Sequence, residues 1–301
     1  MNSYAKPVKN NLVSTINEMS DARDLYVKTP GKDFTRNRKM PFEKCMMQII
    51  SMGTGSIGKE LLESHGYRGD TATTSAFLQQ RDKILPVAFE YALHEFNAKH
   101  RNIKKYRGYR LLADDGSSLH IPTNPKDADT FFPHKAGGKG YNLLHLNAMY
   151  DLVNRIYVDA IIQPTRKANE QLALTNMVKR SRITDKVILI GDRNFESYNI
   201  FATTHAKGWF YVIRVKDRNG GIVETLPQLP DTDEFDVWVN RIITRRRTKA
   251  TKAHPELYRY ARDQTPFHFL PPGSKDEFHM SFRVVRVKLD NGEYESIIIV
   301  Y

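Results

Sequence analysis

Two short apolar runs in this chain end on aspartate. Tyr109 to Ala113 leads into Asp114-Asp115-Gly116-Ser117-Ser118-Leu119, and Ile188-Leu189-Ile190-Gly191 leads into Asp192-Arg193-Asn194-Phe195. A carboxylate delivered at the C-terminal end of a buried strand lies where open α/β sheets bind their ligands. Side chains alternate faces along a strand, so Asp114 and Asp115 cannot both point at one site. Each acid alone has a plainer reading: Asp-Gly is a strong turn signal, and Asp192 suits a cap on the following helix. The pair says more, because two carboxylates at strand ends of one sheet converge on a divalent ion.

Other site chemistries find little support. The single cysteine, Cys45, excludes an internal disulfide and any zinc site built on paired thiolates, and the ten histidines form no HExxH pattern. Any metal is therefore a hard ion held by carboxylate oxygen. Gly53-Thr54-Gly55-Ser56-Ile57-Gly58-Lys59 satisfies GxxxxGK, but Glu60 stands where a P-loop needs Ser or Thr, in a helical context. Gly137-Gly138-Lys139-Gly140 reads as a basic turn.

The formal charge is +12, from 46 Lys and Arg against 34 Asp and Glu. Such an excess favours a polyanionic partner. No stretch approaches the ~20 apolar residues of a membrane span, and the N-terminus lacks a signal-peptide core, so the chain reads as cytoplasmic, nucleoid-associated and bound to nucleic acid. The basic residues concentrate between Arg241 and Arg262: Arg241, Arg245, Arg246, Arg247, Lys249, Lys252, Arg259 and Arg262 face only the acid Glu256, with Tyr258 and Tyr260 interleaved. A charge run is usually a solvated face; aromatic interleaving adds rings able to stack on bases, and predicts a DNA contact.

Around these residues the elements fall in order. Residues 1–40 are polar and predict a weakly ordered basic arm or short helices. Residues 41–103 predict a helical region, with Ile84, Val87, Ala88, Tyr91, Ala92 and Phe96 on one stripe and Pro86 in a first turn. From Lys104 the texture changes. Strands are predicted at 109–113, 143–150 and 155–162, the last two joined by a turn at Asp151 to Asn154. A helix follows at 169–182, a strand at 187–190, a helix at 197–207 and a strand at 209–215. Antiparallel strands followed by crossovers imply a mixed sheet flanked by helices. Residues 219–301 carry further strand signals at 236–243 and 281–288 and end in the apolar run Ile297 to Tyr301.

Taken together the chain resembles the DDE transposases of bacterial insertion sequences, in the family named after insertion sequence four. The resemblance covers about residues 40–301. It rests on Ser75-Ala76-Phe77, Gln80-Arg81, Asp115-Gly116-Ser117, His145 to Asp151, Ile161-Ile162-Gln163-Pro164, Asn169-Glu170, Gly191-Asp192-Arg193 and Tyr211-Val212-Ile213-Arg214, in shared order and spacing. It implies an α/β, ribonuclease H-like catalytic core over 104–218, an N-terminal helical region over 41–103 that binds DNA, and a β-rich insertion over 219–301, incomplete as given. Asp115 matches the first catalytic acid, because the family's acid directly precedes the small pair, and Asp192 matches the second.

The activity implied is cleavage and strand transfer of DNA by in-line phosphoryl transfer, with two Mg2+ or Mn2+ ions held by Asp115 and Asp192 and with Arg193 on a phosphate. The implied partner is double-stranded DNA carrying terminal inverted repeats, on which a homodimer is a possible assembly. The family's third acid lies in Tyr-x2-Arg-x3-Glu-x6-Lys, which this sequence lacks, so the catalytic Glu is expected beyond Tyr301 and the chain is expected to be truncated. Two other readings stay open: a non-catalytic DNA-binding transposase remnant, and a ribonuclease H-like nuclease acting on RNA or repair intermediates.

Overall fold

The computed structural model describes residues 5–36, 39–100, 103–134, 137–217 and 220–300. Tyr301, at the end of the apolar run, and the expected domain boundary at 218–219 lie outside the described residues. The chain divides into two compact units, Met1–Ile103 and Lys104–Tyr301. No helix of the described residues is long and apolar enough to cross a membrane.

The first unit is helical: α1 (Ala5–Asp21), α2 (Phe42–Ser51), α3 (Ile57–Ser64), α4 (Thr74–Arg81) and α5 (Val87–Lys99). Its core gathers Ile16, Met19, Phe42, Met46, Leu61 and Phe77, all nearly inaccessible to solvent. Of the two alternatives for residues 1–40, a weakly ordered arm or short helices, the described residues carry helix. α1 runs for 17 residues, and Leu12, Ile16 and Met19 form an i, i+4, i+7 stripe against that core. A bridge from Val27 to Ile84 ties the segment further in. On α5 the buried face is narrower than the apolar stripe: Ala88 and Ala92 are buried, whereas Val87 and Tyr91 are 48% and 40% exposed. Gly53 and Gly55 of the GxxxxGK stretch lie against the chain's own acid, with the Glu60 carboxylate accepting the Gly55 amide at 2.8 Å.

The second unit is built on a 10-stranded sheet. In chain order it comprises β1 (Arg110–Ile121), β2 (Phe131–Phe132), β3 (Tyr141–Asp151), β4 (Ile156–Pro164), α6 (Glu170–Arg180), β5 (Val187–Gly191), α7 (Tyr198–Ala206), β6 (Phe210–Val215), β7 (Phe235–Thr244), α8 (Lys249–Ala253), β8 (Tyr258–Tyr260), β9 (Glu277–Lys288) and β10 (Tyr294–Val300). The order across the sheet is β2-β3-β1-β5-β6-β10-β9-β7-β8, with β4 also paired to β3. β1, β5 and β6 run parallel, and α7 makes the crossover between the last two. The hairpin of β3 and β4 turns where Asp151 Oδ1 accepts the amides of Val153 and Asn154, and Asp151 Oδ2 holds buried Arg110 at 2.9 Å.

Strands after residue 219 extend this same sheet, because β10 pairs antiparallel with β6 and carries β9 and β7 outward. One sheet face is sealed: Leu112, Leu189, Tyr211, Ile213 and Ile298 pack with Leu174, Met177, Ile200 and Phe201 of α6 and α7. On the opposite face Leu111, Ala113, Ile188, Ile190, Val212 and Ile297 are only half-buried.

Candidate active site

The two sequence-derived acids stand at the same end of neighbouring parallel strands. The pairing of β1 with β5 runs through Leu112↔Leu189 and Ala113↔Ile190, and Asp115 and Asp192 each lie two residues further on. Residues paired across a sheet share a face, and both steps are even, so the alternation directs both side chains to the half-buried face. Asp192 keeps extended backbone (φ −85°, ψ −173°), which carries that alternation past the end of β5. Strands lie about 4.8 Å apart, a spacing a bridging ion can span.

Both carboxylates are exposed. Asp115 Oδ1 accepts its neighbour's amide at Gly116 (2.8 Å), and Asp192 Oδ1 accepts from Asn194 N (2.9 Å). Among the described residues neither is ion-paired to a lysine or arginine. The donors suit Mg2+, which is commonly held through one or two carboxylates with water and substrate phosphate completing its shell. Among the described residues no group of three or more His, Cys, Asp or Glu is arranged to hold a metal ion.

Asp114 points the other way. It is 5% exposed, and neither carboxylate oxygen has a hydrogen-bond partner. Burial, reinforced by the charges of Glu170, Asp115, Asp159 and Asp192, pushes its carboxyl up to about 8. Its buried carboxyl favours the protonated form.

Basic groups flank Asp192. The Arg193 guanidinium lies 3.7 Å from Glu295 Oε1, and Arg214 Nε donates to the same oxygen. Arg214 follows Ile213, the partner of Gly191, so it sits one strand over from Asp192 on the same face. It belongs to the Tyr211-Val212-Ile213-Arg214 motif, but nothing in that local pattern assigns it a task. Its side chain is tethered to Glu295.

The basic segment divides by burial. Arg241 and Arg245, both expected to touch DNA, are 2% and 8% exposed. Arg241 donates to the carbonyls of Pro255 and Thr225, and Arg245 to those of Leu270, Arg262, Thr265 and Phe267. Both guanidiniums are enclosed by backbone and cannot reach a phosphate, so their assignment is corrected to structural. Arg246, Arg247, Lys249, Lys252, Arg259 and Arg262 are exposed, and Tyr258 is half-buried. The Arg247 guanidinium lies over the Tyr260 ring at 5.8 Å. Arg259 and Arg262 line a cleft of about 730 Å³ together with Arg193 and Lys216.

A mixed sheet presenting two aligned carboxylates at the ends of parallel strands, edged by arginines, defines a candidate metal-dependent phosphate-handling protein. A family profile, Transposase DDE domain, matches residues 106–289, more than half of the chain. The chain belongs to that DDE transposase family. A search of curated proteins finds no match. Among solved structures the chain is similar to a piggyBac transposase in a synaptic complex with hairpin DNA, at 10% identity and a TM-score of 0.40. The similarity covers 96% of this chain and 58% of that one.

Proposed function

We propose that the chain is the transposase of an insertion sequence of the insertion-sequence-four type, cleaving and joining DNA ends on a ribonuclease H-like core. Family membership supports the reaction class, and the observation that carries the residue assignment is the register of β1 against β5. Asp115 and Asp192 hold the metal, Arg193 and Arg214 meet the phosphate from a shared tether on Glu295, and Asp114 stays out of the ligand set. Two Mg2+ ions bound there would activate the attacking hydroxyl and stabilise the leaving oxygen. The partner is double-stranded DNA with terminal inverted repeats, contacted by the exposed cations between Arg246 and Arg262 and by the helical unit.

Among the described residues no three-member acid cluster accompanies Asp115 and Asp192. The same observation favours a second reading, a DNA-binding remnant without catalysis. Two measurements separate the readings. Mn2+ titration followed by electron paramagnetic resonance should show binding that Asp115→Asn and Asp192→Asn each weaken and Asp114→Asn leaves in place. If Asp114→Asn abolishes binding while Asp115→Asn does not, the assignment of the first acid is wrong. Mg2+-dependent cleavage of repeat-bearing DNA by the 301-residue chain would refute the remnant reading.

A further inference from the structure

The two acids sit on different strands, yet one turn of helix touches the chain beside both of them. Asn169 caps α6, its Oδ1 accepting from Leu172 N at 2.9 Å. The next two residues reach in different directions. Glu170 Oε1 lies 2.8 Å from His145 Nε2 on β3, a close packing contact without hydrogen-bond geometry, directly beneath Gly116. Gln171 Nε2 donates to Asn194 O at 2.7 Å, in the turn that opens at Asp192. That turn is itself closed by the bond from Asn194 N to Asp192 Oδ1. The cap is anchored too: Asn169 N donates to Gln163 Oε1 at 3.1 Å, and Asn147 Nδ2 donates to the same oxygen at 3.3 Å.

We infer that the first turn of α6 is a clamp, with Glu170 and Gln171 as positioning residues that hold the Asp115 and Asp192 segments in the relative placement a bridging ion needs. Neither is a ligand. Glu170 lies under the sheet face opposite to Asp115, alongside Gly116, whose parity is that of buried Asp114. A methyl group at position 116 would overlap the Glu170 carboxylate and come within 2.7 Å of His145 Nε2, so the strand rests directly on this pair. Gln171 is exposed and makes its bond to backbone, which fixes where the residues after Asp192 run. Groups that orient metal ligands from behind typically alter affinity about 10- to 100-fold when removed.

The inference rests on the reading of Asp115 and Asp192 as metal-holding acids, and the test keeps the two apart. Mn2+ affinity is measured for the full chain and for Glu170→Ala, Glu170→Gln and Gln171→Ala, alongside thermal unfolding. The expected result is a loss of about tenfold in Glu170→Ala and in Gln171→Ala. Glu170→Gln, which keeps the shape and removes the charge, should stay within about twofold. Melting temperatures should stay within about 4 °C, the shift that ~1 kcal/mol produces in a domain of this size. A loss in Glu170→Gln equal to that in Glu170→Ala would overturn the clamp, because the effect would then be the field of the carboxylate. Unchanged affinity in every variant would overturn it as well. Should the wild-type chain bind no Mn2+ in a manner sensitive to Asp115→Asn or Asp192→Asn, the functional reading fails first. Amide hydrogen exchange over residues 192–196 then decides the clamp. Faster exchange in Gln171→Ala upholds it, and unchanged exchange removes it.

Discussion

Replacing Arg246 and Arg247 together by Ala should weaken DNA binding in a way that salt reveals. Both side chains are exposed at the end of β7, next to α8 and β8, and neither belongs to the internal arginine staples of that region. Each neutralised phosphate adds about 0.9 to the slope of log affinity against log salt, so removing both arginines should reduce its magnitude by about 1.8. Between about 50 and 200 mM salt, the wild-type chain should therefore lose about 12-fold more affinity than the double variant. Arg245 has to stay, since its guanidinium joins the carbonyls of Leu270, Arg262, Thr265 and Phe267 and its removal would damage the fold along with the surface. Fluorescence anisotropy on a duplex of fixed sequence, repeated at several salt concentrations, measures the slope. An unchanged slope would show that these arginines are solvated and that the DNA-facing surface lies elsewhere.

Arg245→Ala should cost about 3 kcal/mol or more, by stripping charge-assisted bonds from buried carbonyls, and urea unfolding that finds less than about 1 kcal/mol would remove the staple. Gly116→Ala should destabilise the second unit by about 1–3 kcal/mol, as overpacking does, and a neutral result would mean that the Glu170–His145 contact yields freely. Asp114 gives a pH signature with a definite sign. Its folded-state value of about 8 lies above the ordinary aspartate value of 3.8, so the folded chain keeps a proton that the unfolded chain has released. Stability therefore falls as pH rises from about 4 to about 8, by at most about 1.4 kcal/mol per pH unit. Asp114→Asn should abolish that dependence, so that its advantage over wild type grows by about 2–3 kcal/mol between pH 5 and 7 in chelator. A difference that is flat or shrinks with pH would place the Asp114 proton elsewhere.

What the sequence disclosed and what it hid follow from the range of the interactions involved. The strands bearing Asp115 and Asp192 were legible because local alternation and turn chemistry define them, and the pairing Ala113↔Ile190 needs only that two apolar runs align at their ends. α1 was hidden by averaging: the polar composition of residues 1–40 masked Leu12, Ile16 and Met19, whose spacing alone marks a buried stripe. Arg241 and Arg245 were misread for a related reason. Counting charge along 241–262 ignores that Arg241 shares parity with buried Val239 on β7, so period two already directs it inward. Arg245, by contrast, lies just past the strand and is enclosed by the carbonyls of Leu270, Arg262, Thr265 and Phe267, which no local pattern shows. The Asn169-Glu170 motif marks Glu170 without giving it a task, and nothing local marks Gln171. Their side chains reach His145 and Asn194, across elements whose meeting depends on the completed sheet. A site assembled this way separates into two kinds of residue. The groups that face the substrate are readable from the strand that carries them, and the groups that hold those strands in place become readable only once the fold has brought them together.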